Sequence, residues 1–253
     1  MAEMTLLGHL TELRKRLIRS VLAIVVGAIV VFVLNNQILE FLEKPYCDFL
    51  AAEGVDGCDF LIQNPLEPLS VVLTLSGYGG LLVALPVILY QLGRFVMPGL
   101  YPNEKRMLIP FLLASVLLLF GGMVAAYLLM PRSLSVLQSF GTDNFVSFFT
   151  PGFYIGFFVK MMLAFGFAAE FPVILIFLQL VGVVTPDQLS SNRRIATVAV
   201  VILGAIITPT GDPFNLAIIS IPMYLFYELS IIIGRRLTSR RGRNNRASTG
   251  LAG

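Results

Sequence analysis

Charged residues are scarce in this chain. They make up 13% of its 253 residues, whereas hydrophobic residues make up 57%. A soluble domain normally carries about 25% charged residues, and a disordered chain has few hydrophobic ones. The soluble and disordered classes are therefore excluded. Because apolar segments run through the whole chain, the composition predicts one integral membrane domain.

Residues that commonly hold metals or carry out catalysis are also few. The chain has two cysteines, Cys47 and Cys58, and a single histidine, His9. They form no cluster with metal-ligand spacing, and a His-dependent triad would have to use His9, outside the apolar segments. A Gly-rich phosphate-binding loop is missing too. We therefore expect a protein that is not an enzyme, with no metal, no cofactor and no nucleic-acid partner.

The apolar segments predict an all-α protein with six transmembrane helices. A spanning helix needs about 20 apolar residues to cross about 30 Å of hydrocarbon. The last apolar block is divided by residues 208–213, whose two prolines and one glycine predict a tight turn. The predicted spans cover residues 17–36, 69–97, 107–130, 152–181, 194–208 and 214–233.

The fifth and sixth predicted spans are shorter than the others. Their length predicts either locally thinned lipid beside them or helix ends that are buried against neighbouring helices. We place the membrane domain at residues 1–235. The arginine-rich residues 236–253 predict a disordered cytoplasmic tail that is attracted to anionic lipid.

The distribution of lysine and arginine predicts the orientation. Fifteen of the 18 basic residues lie on one side of the membrane if the six spans alternate in direction. That side is predicted to be cytoplasmic, because cytoplasmic segments carry the excess of lysine and arginine. Both termini fall on it. The prediction is a multi-pass protein of the cytoplasmic membrane.

Two acidic residues stand on this basic face. Glu12 lies in a predicted amphipathic helix on the membrane surface, and Glu104 lies between the second and third spans. Each has a structural alternative, since Glu12 can pair with Arg16 and Glu104 can favour the start of the third helix. Together they would suit a cationic ligand, and arginine pairs with carboxylates in a bidentate manner. The amphipathic pattern consists of Leu6, Leu7, Leu10, Leu13 and Leu17.

Glu170 lies well inside the fourth predicted span. An ionisable group at that depth indicates a functional role by default. Lys160 is too far away to pair with it, at about 15 Å along a straight helix. Glu170 must therefore find a polar partner on another helix, face a wet cavity or be protonated.

The two cysteines fall in the predicted outer loop. An oxidising compartment permits a disulfide between Cys47 and Cys58. Two free thiols are the alternative, and they would require the opposite orientation. Asp212 lies in the turn between the last two spans, and a purely structural role in that turn is sufficient to explain it.

Five motifs occur in a fixed order between residues 5 and 235. They are HLTELRKR at 9–16, PVILYQ at 86–91, FVMPGLYPNEKR at 95–106, AFGFAAEFP at 164–172 and IPMY at 221–224. Together they resemble the TatC family, the receptor subunit of the twin-arginine protein translocase. The resemblance implies a cup-shaped bundle of six helices with a concave face open to lipid.

The resemblance also implies a receptor for folded cargo. Family members recognise an Arg-Arg pair in the signal peptide of the cargo and use the proton gradient for transport. Glu12 and Glu104 match the positions that contact those arginines. Arg14, Phe95 and Arg106 match positions on the same surface.

Further positions follow from the same resemblance. Pro45 matches a proline that is important for the outer cap, and Glu170 matches the polar residue inside the concave face. The paired cysteines occur in some members only. Homo-oligomers, lipid and the single-span partners TatA and TatB are implied as partners. The implied docking positions for those partners are Gln91, Asp212, Asn215 and Leu216.

The chain departs from the family pattern at one corner. Leu216 occupies a place that is often glutamine, and the turn before it is longer by one residue, with Gly211 and Pro213. Two other functions stay open. A proton-coupled small-solute transporter would use Glu170 and Lys160, although few other polar residues lie inside the spans. An intramembrane enzyme would need a base close to a nucleophile or metal.

Overall fold

The computed structural model describes residues 6–55, 57–97, 102–139, 149–208 and 212–249. For residues 6–7, 102–108 and 237–249 it describes the backbone alone. Within these ranges the secondary structure is helical, without a strand, which confirms the all-α prediction. The eight helices in them are α1 Leu6–Val33, α2 Asn35–Ala52, α3 Glu67–Val96, α4 Pro102–Ser139, α5 Pro151–Val181, α6 Pro186–Ser191, α7 Arg193–Ile207 and α8 Pro213–Thr249.

Five of the helices within the described ranges are long and apolar enough to cross a membrane. These segments are Gly8–Val33, Glu67–Val96, Ile109–Ser139, Pro151–Val181 and Pro213–Arg236. The fifth predicted span corresponds to α7, which has 15 residues. A helix of that length reaches only about 22 Å, which is less than the hydrocarbon thickness of about 30 Å. The count of six spans therefore stays a prediction.

Two predictions about the first and last helices need correction. The predicted surface helix and the first span form one continuous helix, α1, because neither proline nor glycine interrupts residues 9–26. The sixth span is not short, since the apolar segment Pro213–Arg236 has 24 residues. Helix α8 also continues to Thr249, through most of the predicted disordered tail 236–253. The domain boundary at residue 235 stays a prediction.

The predicted outer loop contains a helix, α2. Pro45 lies inside α2, although proline has no N–H to donate and leaves the carbonyl four residues earlier unpaired. That carbonyl belongs to Phe41, and the hydroxyl of Tyr127 on α4 donates a hydrogen bond to it at 3.2 Å. The carbonyl of Leu42 accepts a hydrogen bond from Tyr154 on α5 at 2.6 Å. Tertiary contacts thus stabilise a helix that proline alone would disfavour.

Helix α5 is central in the bundle, since it packs against α3, α4 and α8. Helix α1 packs mainly along α3. The two helices run in opposite directions, as shown by the contact between His9, near the start of α1, and Phe95, near the end of α3. Helix α4 runs opposite to α5, since Phe111 lies beside Phe177 and Tyr127 lies beside Phe158. Helix α7 packs on α8. The concave shape that the resemblance implies stays a prediction.

This arrangement gives the bundle two distinct ends. We call one the basic end, where α1 begins and α3 and α5 finish; its described basic residues include Arg16, Arg94, Arg193 and Arg235. We call the other the α2 end, where the carboxylate of Glu67 accepts a hydrogen bond from the backbone of Gly152 at 3.1 Å. The basic end is the one that the lysine and arginine distribution predicts to be cytoplasmic.

Candidate functional site

Glu12 is the centre of a polar cluster at the basic end. Arg16, one helical turn further along α1, donates a hydrogen bond from Nε to Oε1 of Glu12 at 3.0 Å and forms a salt bridge to the same oxygen. The side chains of Glu12 and Arg16 are only 19% and 14% exposed. The i,i+4 pair that the sequence offered as a structural alternative is therefore present.

The second carboxylate oxygen of Glu12 has a different environment. Oε2 is buried and has no hydrogen-bond partner among the residues that the structure describes. A buried carboxylate oxygen without a partner is energetically unfavourable, because it has lost its hydration without replacement. The site therefore has an acceptor available for a further cationic or donor group.

Helix α3 contributes the rest of the cluster. The Nη1 atom of Arg16 lies 3.4 Å from Oε1 of Gln91, so Gln91 holds the guanidinium from the opposite side. One turn away, the rings of His9 and Phe95 stack with their centroids 4.5 Å apart. Phe95, predicted from the resemblance, thus lies on the same face as Glu12. An aromatic face beside a carboxylate is a suitable surface for a guanidinium.

The remaining residues predicted for this site are described to different extents. Arg14 is exposed at the same end of α1. Glu104 and Arg106 belong to the first two turns of α4 by their backbone, but their side chains lie outside the described part. Gln91 was predicted for partner docking. The structure places it beside Arg16, at the opposite end of the bundle from Asp212, and its docking role stays a prediction.

Glu170 is buried between α4 and α5, with 5% of its surface exposed. Its Oε2 accepts a hydrogen bond from the hydroxyl of Ser115 on α4. The other oxygen, Oε1, is buried without a hydrogen-bond partner in the described ranges. The polar partner on another helix that the sequence called for is therefore Ser115, which the sequence analysis did not identify.

Lys160 has a separate environment. It is exposed on α5, and its Nζ lies 6.0 Å from the ring centroid of Tyr78 on α3. A cation over an aromatic ring at this distance is weakly attracted to it. Lys160 and Glu170 therefore have different partners and do not form a common polar site.

The α2 end holds the predicted cysteine pair. The structure joins Cys47 and Cys58 in a disulfide, with their Cα atoms 5.1 Å apart. Beside it, Tyr46 stacks on Phe60 with a centroid distance of 4.4 Å. Burial raises the pKa of the Tyr46 hydroxyl. This end is thus a packed aromatic cap, of which the buried Pro45 forms part.

The predicted docking corner lies at the start of α8. Asp212 accepts hydrogen bonds from the backbone N and the side-chain Nδ2 of Asn215 at 2.7 and 2.9 Å, so it caps the helix. Asn215 is 1% exposed. Leu216 packs against Gly204 on α7. The turn residues 209–211, including Gly211, lie outside the described ranges.

Two polar links on α8 were missed by the sequence analysis. The amide of Gln179 on α5 donates to the carbonyl of Ser230 at 3.1 Å. Arg193 at the start of α7 forms a salt bridge with Glu228 at 2.7 Å. The spacing of these residues carries no signal for either contact, because the paired residues are 51 and 35 positions apart in sequence.

Comparison with known proteins gives one consistent result. A family model described as Sec-independent protein translocase protein (TatC) matches residues 8–222. The Sec-independent protein translocase protein TatC of Aquifex aeolicus is 36% identical over 241 residues, which cover 94% of this chain and 98% of that protein. The protein of the same name from Deinococcus radiodurans is 34% identical over 239 residues, covering 93% and 87%. A crystal structure of a twin arginine translocase receptor, TatC, aligns with a TM-score of 0.75 at 37% identity, covering 91% of this chain and 99% of that one.

Proposed function

The chain belongs to the TatC family of Sec-independent protein translocase proteins, and from this membership we propose that it is the receptor for twin-arginine signal peptides. In this function it is the core subunit of a translocase that exports folded proteins across the cytoplasmic membrane. The observation that carries the proposal is the polar cluster around Glu12 at the basic end.

The chemistry of that cluster fits an arginine ligand. Glu12 offers a buried carboxylate oxygen, Oε2, that lacks a partner among the described residues. The stacked rings of His9 and Phe95 provide an adjacent flat surface. A guanidinium can donate two hydrogen bonds to a carboxylate while its plane rests on an aromatic ring, whereas an ammonium cannot do both. Glu104, Arg14 and Arg106 complete the proposed surface.

The membrane orientation is part of the proposal. Signal peptides arrive from the cytoplasm, so the basic end must face that compartment, with both termini inside. The enrichment of lysine and arginine at this end supports that orientation. The proton gradient is the proposed energy source. In this scheme Glu170 acts in a step after signal-peptide binding, and Glu170→Ala should impair transport while leaving peptide binding intact.

The exposed surface of α7 supports the proposed partners. This helix packs on α8, while its outward residues Ile195, Val198 and Ile206 are 68%, 59% and 73% exposed. Such an apolar face suits the single-span subunits TatA and TatB within lipid. Asp212, Asn215 and Leu216 would shape the nearby corner by fixing the start of α8. A homo-oligomeric receptor complex is also proposed.

A proton-coupled small-solute transporter is the alternative, and its proposed site is not supported. Glu170 is bonded to Ser115 in the interior, whereas Lys160 is exposed beside Tyr78. The two side chains lie about 15 Å apart along α5. A coupled transporter would need a polar pathway that joins them.

A binding measurement tests the receptor function. The purified full-length protein in detergent is titrated with a fluorescent signal peptide that carries Arg-Arg and with a matched peptide that carries Lys-Lys. We expect the Arg-Arg peptide to bind more tightly by about tenfold or more, since a bidentate charged pair is lost with lysine. Equal affinity for the two peptides would refute the receptor function.

A further inference from the structure

Arg16 already occupies the carboxylate that the signal peptide is proposed to use. Its guanidinium binds Oε1 of Glu12 through Nε and Nη2. The same guanidinium reaches Gln91 of α3 through Nη1, at 3.4 Å. The chain thus carries, in its own first helix, the chemical group that the site is proposed to recognise.

The burial of the Arg16–Glu12 salt bridge distinguishes it from an exposed surface pair. Exposed i,i+4 pairs are weak, because water and salt screen them and two long side chains lose their freedom. Arg16 and Glu12 are instead mostly buried, and Arg16 has a second partner on another helix. A charge-assisted pair in this setting is stronger and resists displacement.

The free oxygen of Glu12 shows why the contact can be exchanged. Arg16 uses Oε1 and leaves Oε2 buried without a partner in the described part of the chain. An arriving guanidinium that engages both oxygens would satisfy the carboxylate more fully than Arg16 does. Exchange would therefore replace a partly satisfied carboxylate with a fully satisfied one.

We propose that Arg16 is an internal competitor, which holds Glu12 in the empty receptor until an arginine of the signal peptide replaces it. Gln91 sets how firmly Arg16 is held. This inference rests on the proposed receptor function and adds two residues that determine its affinity. The competitor imposes a threshold, so weakly bound cationic segments do not occupy the site.

A competitor and a positioning residue predict different results. Displacing Arg16 costs the same free energy whichever peptide arrives. Removing the competitor therefore tightens the binding of Arg-Arg and Lys-Lys peptides by the same factor and leaves their ratio unchanged. If Arg16 served to orient Glu12 instead, its removal would weaken the binding of the Arg-Arg peptide. The ratio of the Arg-Arg affinity to the Lys-Lys affinity would then fall.

The experiment measures the Kd of both peptides for the full-length protein, Arg16→Gln and Arg19→Gln. Arg19 is an exposed cation on the same helix, so its variant reports the general loss of positive charge. We expect Arg16→Gln to lower both Kd values by about two- to tenfold, and Arg19→Gln to change them by less than about twofold. An unchanged or raised Kd in Arg16→Gln, or an equal decrease in both variants, would overturn the inference. A wild-type protein that does not distinguish the two peptides would instead refute the receptor function.

Two more variants keep the test decisive if Arg16→Gln does not fold. Arg16→Lys keeps the positive charge but loses the planar guanidinium with its paired donors. It should therefore tighten the binding of both peptides, but less than Arg16→Gln does. Gln91→Ala should tighten binding in the wild type and have a smaller effect in the Arg16→Lys background. If Gln91→Ala weakens binding by the same factor in both backgrounds, Gln91 contacts the peptide directly and its role in holding Arg16 is refuted.

Discussion

The hydroxyl of Ser115 on α4 donates a hydrogen bond to Oε2 of Glu170 on α5. A carboxyl group at this depth is costly unless it is paired or protonated. The helix backbones come close beside it, because a Cβ on Gly122 would lie 2.4 Å from the carbonyl oxygen of Phe165. Gly122 thus allows α4 and α5 to approach closely, and Ser115 satisfies one oxygen of Glu170.

Ser115→Ala should destabilise the bundle. The substitution leaves both buried oxygens of Glu170 without a described partner, which costs about 1–3 kcal/mol. Ser133→Ala is the matched control, because the Ser133 hydroxyl is also buried on α4 but has no hydrogen-bond partner among the described residues. Thermal unfolding in detergent should show a lower midpoint for Ser115→Ala alone. Equal midpoints for both variants would contradict the pairing.

Glu12→Gln and Glu104→Gln should each weaken the binding of an Arg-Arg peptide. Loss of a charged hydrogen-bond acceptor costs about 1.5–3 kcal/mol, which corresponds to an increase of roughly 10- to 100-fold in Kd. Glu228→Gln is the control, since it removes a carboxylate from the same end of the bundle but from the pair with Arg193. A similar loss in all three variants would indicate a general charge effect instead of recognition.

The sequence predicted the best-delimited helices well. The second and fourth predicted spans, 69–97 and 152–181, match α3 and α5 within two residues. Local chemistry explains this agreement for α5. Thr150 caps its start, Pro151 follows at the first position, and Gly182 ends it with a φ of 80°.

The errors arise where distant contacts decide the outcome. The sequence analysis placed no helix in the outer loop, whereas the structure has α2 there, in which Tyr127 of α4 donates a hydrogen bond to the carbonyl that Pro45 leaves free. The contact of Gln91 with Arg16, which is 75 residues away in sequence, was not predicted either. Hydrophobic periodicity carries no information about such pairs. It identifies which segments are helical, and the contacts between helices determine what the polar residues do.

Reduction of the disulfide should loosen the α2 end. A crosslink that closes a loop of this size, with a sequence separation of 11, stabilises a fold by about 3 kcal/mol. Cys47→Ser, Cys58→Ser and the double variant should therefore lower the thermal midpoint equally. Mass spectrometry after alkylation measures the bond directly. Labelling of both cysteines in the untreated protein would show free thiols and contradict the disulfide.

Gly27→Ala should separate α1 from α3, destabilise the bundle and, by loosening the contact between Gln91 and Arg16, tighten peptide binding from a distance. A Cβ at Gly27 would lie 2.6 Å from the carbonyl oxygen of Gly80, and backbone cannot move aside as a flexible side chain can. The overlap costs about 1–3 kcal/mol, and the helix interface that holds Arg16 against Gln91 shifts with it. Gly77→Ala on α3 is the control, since a Cβ there meets nothing within 4 Å. Alanine also has the higher helix propensity, so Gly77→Ala should be neutral or slightly stabilising. Thermal unfolding and peptide titration of both variants measure the two effects, and a wild-type midpoint for Gly27→Ala would mean that the close approach of α1 and α3 is not required.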